Sequence, residues 1–345
     1  MTSTSDLAIP WRQTPLIYSP LLSKSAGCKI YLKLENLQPS GSFKSRGIGN
    51  LLLSHLSSLP DQSSRAALHF YSSSGGNAGL ACVFAAVELG VPATIVVPLS
   101  TSAFMIGKIR EAGAREVLQE GRSWYEADAY LRDVVIPAAE GRGEIPVYVP
   151  PFDDPRIWEG NAGLVGEMVE QLEEVPEAVV CSVGGGGLFC GIVKGRERLV
   201  KERGRGAGGM QIVAVETEGA DSLALSLREG ELSTLPAITS IATTLGARTV
   251  ARQAFEYAVA EGSGVRSVVL RDEEAMEGCV RFANDERIMV EASCGVSIAL
   301  CYGGRLRRVL PELTEESKVV IVVCGGKNVT AGMLNEWEIQ LGLAA

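Results

Sequence analysis

The sequence predicts an α/β fold of parallel sheets flanked by helices, divided into two domains, and three observations carry that expectation. Short runs rich in valine, isoleucine and alanine alternate with longer stretches of helical periodicity along the whole chain. Glycine, serine and proline punctuate the junctions between them. The 345 residues also exceed the roughly 150 of a typical domain about twofold.

Taken in order, a short helix ends near Gly27, a strand runs from Lys29 to Glu35, and a helix opens at Lys44 and continues toward Leu53. Ala66 to Tyr71 reads as a strand, Asn77 to Leu89 as a helix, Ala93 to Val97 as a strand between prolines, and Ala103 to Glu111 as a helix. Ala114 to Leu118 reads as a strand and Ser123 to Val135 as a helix. The proline cluster from Pro146 to Pro151 marks a domain boundary. Beyond it follow a helix from Ile157 to Leu172, a strand from Ala178 to Val183, a helix from Leu188 to Glu202 and a strand from Gln211 to Val215. Helices near Thr249 to Ala260, Glu273 to Ala283 and Cys294 to Tyr302 precede the apolar strand Lys318 to Cys324. Arg203 to Gly209 reads as a mobile surface loop.

Composition narrows the function. A net charge of -9 and a pI near 5.1 leave no basic excess to neutralise nucleic-acid phosphates or an anionic membrane. Met1 to Asp6 has neither a signal-peptide nor a transit-peptide pattern, and no apolar run reaches transmembrane length. The 8 cysteines lie mostly in apolar runs with no C-x-x-C pair, which is the pattern of buried thiols in a cytoplasmic protein. The 2 histidines, His55 and His69, have no ligand-spaced partner, so a histidine metal site is not expected.

The chemistry centres on Ser40-Gly41-Ser42-Phe43-Lys44-Ser45-Arg46-Gly47, which places Lys44 in the first turn of its helix. Free N–H groups and the positive dipole end favour anions there, so an amine loses its proton more easily. Such a lysine suits a Schiff base to a carbonyl compound or to pyridoxal phosphate (PLP); a solvated lysine beside a loop is the other reading. Three further loops follow strands. Ser72 to Gly79 offers hydroxyls, an amide and bare N–H groups that suit a carboxylate, or else a serine-capped turn. Val183 to Leu188 contains four consecutive glycines ahead of a helix, which suits a phosphate monoester. It fits neither G-x-G-x-x-G, because Phe189 or Cys190 stands where the last glycine belongs, nor a Walker A pattern. In Val323 to Asn328, Cys324 reads either as core packing or as a weak neutral partner to a ring nitrogen.

Ser42-Phe43-Lys44, Ser74 to Gly79, the tetraglycine at Gly184 and Cys324-Gly325-Gly326 together resemble the fold type II PLP enzymes, the tryptophan synthase beta-like fold. Their order resembles the serine/threonine dehydratase branch. The finer match to L-serine dehydratases is carried by Gln38 to Lys44, Pro151-Phe152-Asp153-Asp154-Pro155, Ile157-Trp158-Glu159-Gly160, Val290-Glu291 and Cys294-Gly295. The resemblance implies a large domain of residues 1–40 and 146–345 and a small domain of residues 41–145 that moves against it. It implies Lys44 as the Schiff-base lysine and general base, with Gly184, Gly185, Gly186, Gly187 and Leu188 at the cofactor phosphate. Phe43 would lie at the ring face, Asn77 at the ring hydroxyl and Cys324 at the pyridine nitrogen. Ser74, Gly75 and Asn77 would hold the substrate carboxylate. Glu216, Ala220 and Ser222 would bind a monovalent cation, potassium, since a single carboxylate among oxygen ligands suits a weakly charged ion. The racemases of the family tend to carry a second acidic residue at the position of Ser222.

Two residues depart from the pattern: Asn161 stands where histidine is expected, and Gly75 where alanine is common. No room remains after Asn328 for a C-terminal regulatory domain of the kind found in biosynthetic threonine deaminases, so control by isoleucine is not expected. The implied reaction is β-elimination of water from L-serine to pyruvate and ammonia, and from L-threonine to 2-oxobutanoate, in a cytoplasmic homodimer. The alternatives are a racemase on the same scaffold and a non-catalytic binder of PLP or amino acids. A nicotinamide oxidoreductase is weakened by the absent dinucleotide motif.

Overall fold

The computed structural model describes residues 7–204 and 209–343, so Met1 to Asp6 and most of the loop expected at Arg203 to Gly209 lie outside the described residues. Ten strands run through the described chain. They are β1 (Leu16–Ser19), β2 (Lys29–Lys33), β3 (Leu68–Ser72), β4 (Ala93–Val97), β5 (Glu116–Gln119), β6 (Ile145–Tyr148), β7 (Ala178–Ser182), β8 (Gln211–Thr217), β9 (Val265–Leu270) and β10 (Lys318–Val322). They form a four-stranded sheet in the order β5-β4-β3-β6 and a six-stranded sheet in the order β1-β2-β10-β7-β8-β9. Every pairing is parallel except that of β1 with β2. Each sheet belongs to its own compact unit, the first of residues 1–12 and 38–160, the second of residues 13–37 and 161–345.

In the first unit, β4 is buried at all five positions, which is why it reads as an unbroken apolar run. Helices Lys44–Ser58 and Asn77–Glu88 pack through Ile48, Leu51, Leu52, Leu80 and Val83 onto a core that includes Ile95 and Val97. A second, smaller cluster of Tyr71, Val96, Ala127, Leu131 and Ala139 seats the helical stretch 124–141. That stretch is longer than the helix expected from Ser123 to Val135. It passes through a π turn at Leu131–Val135 and resumes as Ile136–Gly141. Pro137 has no N–H to offer the preceding turn, and a wider turn accommodates the missing bond.

Two other expectations shift. The strand expected to begin at Ala66 begins at Leu68, because Asp61 caps a short helix, Gln62–Ala67, by accepting from Ser64 N at 2.8 Å. The strand expected to reach Glu35 stops at Lys33 and turns into a 3-10 helix over Glu35–Leu37. The proline cluster at 146 to 151 carries most of β6, which pairs with β3 inside the first unit.

In the second unit, helices Asp272–Glu286 and Ala292–Ile298 cross at two glycines. A Cβ on Gly278 would overlap the Gly295 carbonyl. One on Gly295 would overlap the Cys279 thiol and lie 2.5 Å from the Ala275 carbonyl oxygen. Overpacking of this kind costs about 1 to 3 kcal/mol. Gly295→Ala should lower the urea midpoint by an amount equivalent to about 2 kcal/mol with the m-value unchanged, and a midpoint equal to that of the parent protein would contradict the close crossing.

Candidate active site

The turn before Lys44 is fixed locally. Gly41 adopts φ 80°, its N–H bonds to the Gln38 carbonyl, and the hydroxyls of Ser40 and Ser45 lie 2.8 Å apart. Lys44 is the first residue of the helix Lys44–Ser58, preceded by Phe43 without a side-chain cap. Its Nζ donates to the Pro151 carbonyl at 2.6 Å and sits 5.3 Å from the centre of the Phe43 ring. The proline-rich segment thus orients the amine. Ser42 Oγ, two residues away, is buried and makes no hydrogen bond among the described residues.

Ser74, Gly75 and Asn77 share the loop after β3 in the same unit. Ser74 Oγ accepts from Gly76 N at 3.3 Å, so it folds over the loop and leaves the helix Asn77–Glu88 without a side-chain cap. Gly79 allows the first turn to lie against the Ser74 carbonyl, which a Cβ would strike. The departure at Gly75 has a physical reason: a Cβ there would lie 2.9 Å from Thr101 Cγ2 and 3.2 Å from Val97 Cγ1. Two backbone N–H groups at a helix start beside a hydroxyl can accept a carboxylate.

The tetraglycine follows β7 in the second unit. Gly186 has φ 88° and caps the helix Gly187–Arg203 without a side-chain bond. A Cβ on Gly186 would lie 2.6 Å from Ala254 Cβ, and one on Gly184 would lie 2.8 Å from Leu245 Cα. The loop therefore closes onto two neighbouring segments while its helix-start N–H groups carry no side chain of their own, a cradle able to take the oxygens of a phosphate monoester. Asn161 supports it. Its buried Nδ2 donates to the Gly187 carbonyl at 3.0 Å, and its Oδ1 makes no hydrogen bond among the described residues.

Cys324 is buried just past β10, beside Cys294, whose thiol is pushed well up by burial and then by the contact with Cys324. Glu291, quoted in the sequence only as part of a motif, ties the surrounding segments together. Its carboxylate accepts from the Thr244 hydroxyl at 2.5 Å and from Asn328 N at 3.2 Å, and it fills the space where Gly326 would carry a Cβ. Thr244 in turn precedes Leu245, against which Gly184 packs. A carboxylate at 291 was invisible as a brace because its partners lie far away in sequence.

Glu216, Ala220 and Ser222 gather at the end of β8 and are all fully buried. The Glu216 carboxylate accepts from Leu223 N and Ala224 N, each at 2.8 Å, at the start of helix Ser222–Glu229. Burial nevertheless pushes its pKa up to about 8. Ser222 Oγ makes no hydrogen bond among the described residues. A buried acid and an unsatisfied buried hydroxyl oxygen are a donor set that suits a weakly charged cation. The two histidines are engaged elsewhere: His69 with Glu144 and Thr94, and His55 with Arg156.

Comparison with known proteins matches residues 7–325 to the model of the pyridoxal-phosphate dependent enzyme family. An L-serine dehydratase/L-threonine deaminase of Bos taurus is 41% identical over 334 residues, covering 96% of each chain. An L-serine dehydratase of Saccharomyces cerevisiae is 41% identical over 330 residues, covering 93% of this chain and 94% of its own. The crystal structure of a fungal L-serine ammonia-lyase from Rhizomucor miehei superposes with a TM-score of 0.84 at 32% identity, covering 96% of this chain and 99% of the other. With that likeness running nearly end to end over an α/β fold of parallel sheets, this chain belongs to the pyridoxal-phosphate dependent enzymes.

Proposed function

We propose that this chain is an L-serine ammonia-lyase that eliminates water from L-serine to give pyruvate and ammonia, and that it also converts L-threonine to 2-oxobutanoate. The observation that carries the reading is the 41% identity to a named L-serine dehydratase/L-threonine deaminase across 96% of both chains. A racemase is not favoured, because the relatives of highest coverage reported above are named for dehydration.

PLP, when bound, supplies an electrophilic carbonyl carbon and a ring that stabilises negative charge at the substrate α-carbon. By the family resemblance, Lys44 Nζ would hold that carbon, Phe43 would face the ring, Asn77 would meet its hydroxyl, Cys324 would meet its nitrogen, and the N–H groups from Gly184 to Leu188 would take the phosphate. A thiol at 324 in place of a carboxylate would leave the ring a weaker electron sink, which favours elimination over transamination. Ser74, Gly75 and Asn77 anchor the substrate carboxylate, which fixes the α-hydrogen relative to the amine. Lys44 Nζ as a free amine would take that proton as general base, with the Pro151 carbonyl orienting it. The proton taken from Cα and the hydroxyl lost from Cβ together make the water eliminated, and the aminoacrylate released takes up water to give pyruvate and ammonia. The homodimer rests only on the family resemblance of the sequence, and 8 buried thiols suit a reducing cytoplasm.

Two outcomes test this. Parent protein supplied with PLP and L-serine should accumulate pyruvate, and Lys44→Ala should lose at least 1,000-fold in kcat, roughly the scale of a lost general base with loss of covalent attachment added; full dehydration by Lys44→Ala would overturn the assignment. For the cation, the melting temperature of the PLP-loaded protein should be higher in potassium chloride than in choline chloride at equal ionic strength. Ser222→Ala should shrink that difference, and an undiminished difference in Ser222→Ala would remove Ser222 from the cation site.

A further inference from the structure

The residue between β3 and Ser74 is tied inward. Ser73 is fully buried, and its hydroxyl donates to Asp128 Oδ1 at 2.6 Å. Asp128 stands on the helix Trp124–Tyr130, 55 positions along the chain, and is only 8% exposed. The same oxygen accepts from the Tyr148 hydroxyl at 2.7 Å, at the end of β6. Strands β3 and β6 are parallel neighbours with Tyr71 opposite Tyr148, so one carboxylate oxygen meets the ends of two adjacent strands. Ala127, next to Asp128, is buried in the cluster with Tyr71 and Val96, which fixes where the helix presents that carboxylate.

A buried carboxylate is costly unless it is strongly hydrogen-bonded. Arg132 lies 3.8 Å from Asp128 Oδ2 and is 62% exposed, so solvent weakens that ion pair. The two hydroxyl donors on Oδ1 carry the compensation, as charge-assisted bonds. Burial, and then the bond to Asp128, push the pKa of the Tyr148 hydroxyl up, so it stays a donor. None of this is needed to build β3. That strand ends at Ser72, is held to β4 and β6 by its own ladder, and has its last hydroxyl, Ser72 Oγ, on the Val149 carbonyl at 3.1 Å. What Asp128 adds lies one residue further, at the start of the loop that carries Ser74, Gly75 and Asn77.

We infer that Asp128 is a positioning residue for the substrate carboxylate, an inference that rests on the lyase reading of that loop. By holding the Ser73 hydroxyl from inside the unit, Asp128 fixes the chain direction at residue 73 and with it the place of the Ser74 and Gly75 N–H groups. A loop held this way loses less freedom when it takes up the carboxylate, and its donors meet the carboxylate in one geometry.

The test is titration of the PLP-loaded protein with L-alanine, which carries the carboxylate but no leaving group at Cβ, followed by the visible absorbance of bound PLP. Asp128→Ala should raise both the half-saturating L-alanine concentration and the KM for L-serine about ten-fold at unchanged PLP content. Asp128→Asn keeps an acceptor oxygen and should stay within about three-fold of the parent. Ser73→Ala should match Asp128→Ala, and the double variant should be no worse than either single one. Tyr148→Phe removes a bond of similar length to the same oxygen without touching the loop, so it should lower the melting temperature and leave L-alanine half-saturation unchanged. An unaltered half-saturation in Ser73→Ala or Asp128→Ala, an equal rise in Tyr148→Phe, or a parent protein whose absorbance L-alanine does not change would overturn the proposal. If Asp128→Ala does not fold, Ser73→Ala and Asp128→Asn decide it. The L-alanine signal needs no turnover, so a parent protein that answers L-alanine but forms no pyruvate from L-serine refutes the lyase reading alone.

Discussion

Close approach of neighbouring segments to glycine main chain at the strand ends is the constraint on which the rest of the molecule depends. Gly79 lies against the Ser74 carbonyl, Gly184 against Leu245, and Gly326 against the Glu291 carboxylate, and at each a single Cβ would push the segments apart. Gly186 adds a left-handed φ of 88° that other residues adopt only at a cost. Glycine in such numbers gives up more conformational entropy on folding than any other residue, and what it returns is helix-start N–H groups held bare and in place. Ser19, Asp61, Ser102, Ser123 and Thr330 each cap a helix with their own side chain, whereas Arg252–Val259 and Arg305–Val309 start without one. The bare starts at Lys44, Asn77 and Gly187 differ from those last two in lying at the glycine and serine loops, where a ligand's oxygens can do the capping.

Around those loops the second unit concentrates polar groups that burial makes costly. Glu216 is held in a place that raises its pKa to about 8 despite two backbone donors, and Ser222 Oγ and Asn161 Oδ1 are buried without a protein partner. An unsatisfied buried oxygen costs about 1 to 3 kcal/mol. Groups of this kind persist where a ligand or ion satisfies them, which is why the donor sets and the glycine packing fit together as one account of cofactor and cation binding.

Much of this was legible in the sequence because it is local. β4 and the helix Ala103–Glu111 fall where they were expected, since proline or serine marks their ends and their apolar periods are unbroken. The glycine loops stood out for the same reason. Other features were hidden by competing signals. β6 contains Pro146, which argues against a central strand, but β6 is an edge of its sheet, where the missing N–H costs little. β1, the antiparallel edge of the larger sheet, is only four residues long. Long-range braces could not be read at all: Asn161 reaches Gly187 across 26 positions and Glu291 reaches Thr244 across 47. Asn161 looked like a departure from the family pattern, and the fold gives it work on the phosphate-type loop.

The account depends most directly on Lys44 being the residue that carries the cofactor. Borohydride reduction of the PLP-loaded protein, followed by digestion and mass spectrometry, locates that attachment without relying on turnover. The account predicts a pyridoxyl-phosphate adduct on the peptide containing Lys44. An adduct confined to another lysine, such as Lys33 or Lys327, or no adduct in protein that nevertheless forms pyruvate, would contradict it.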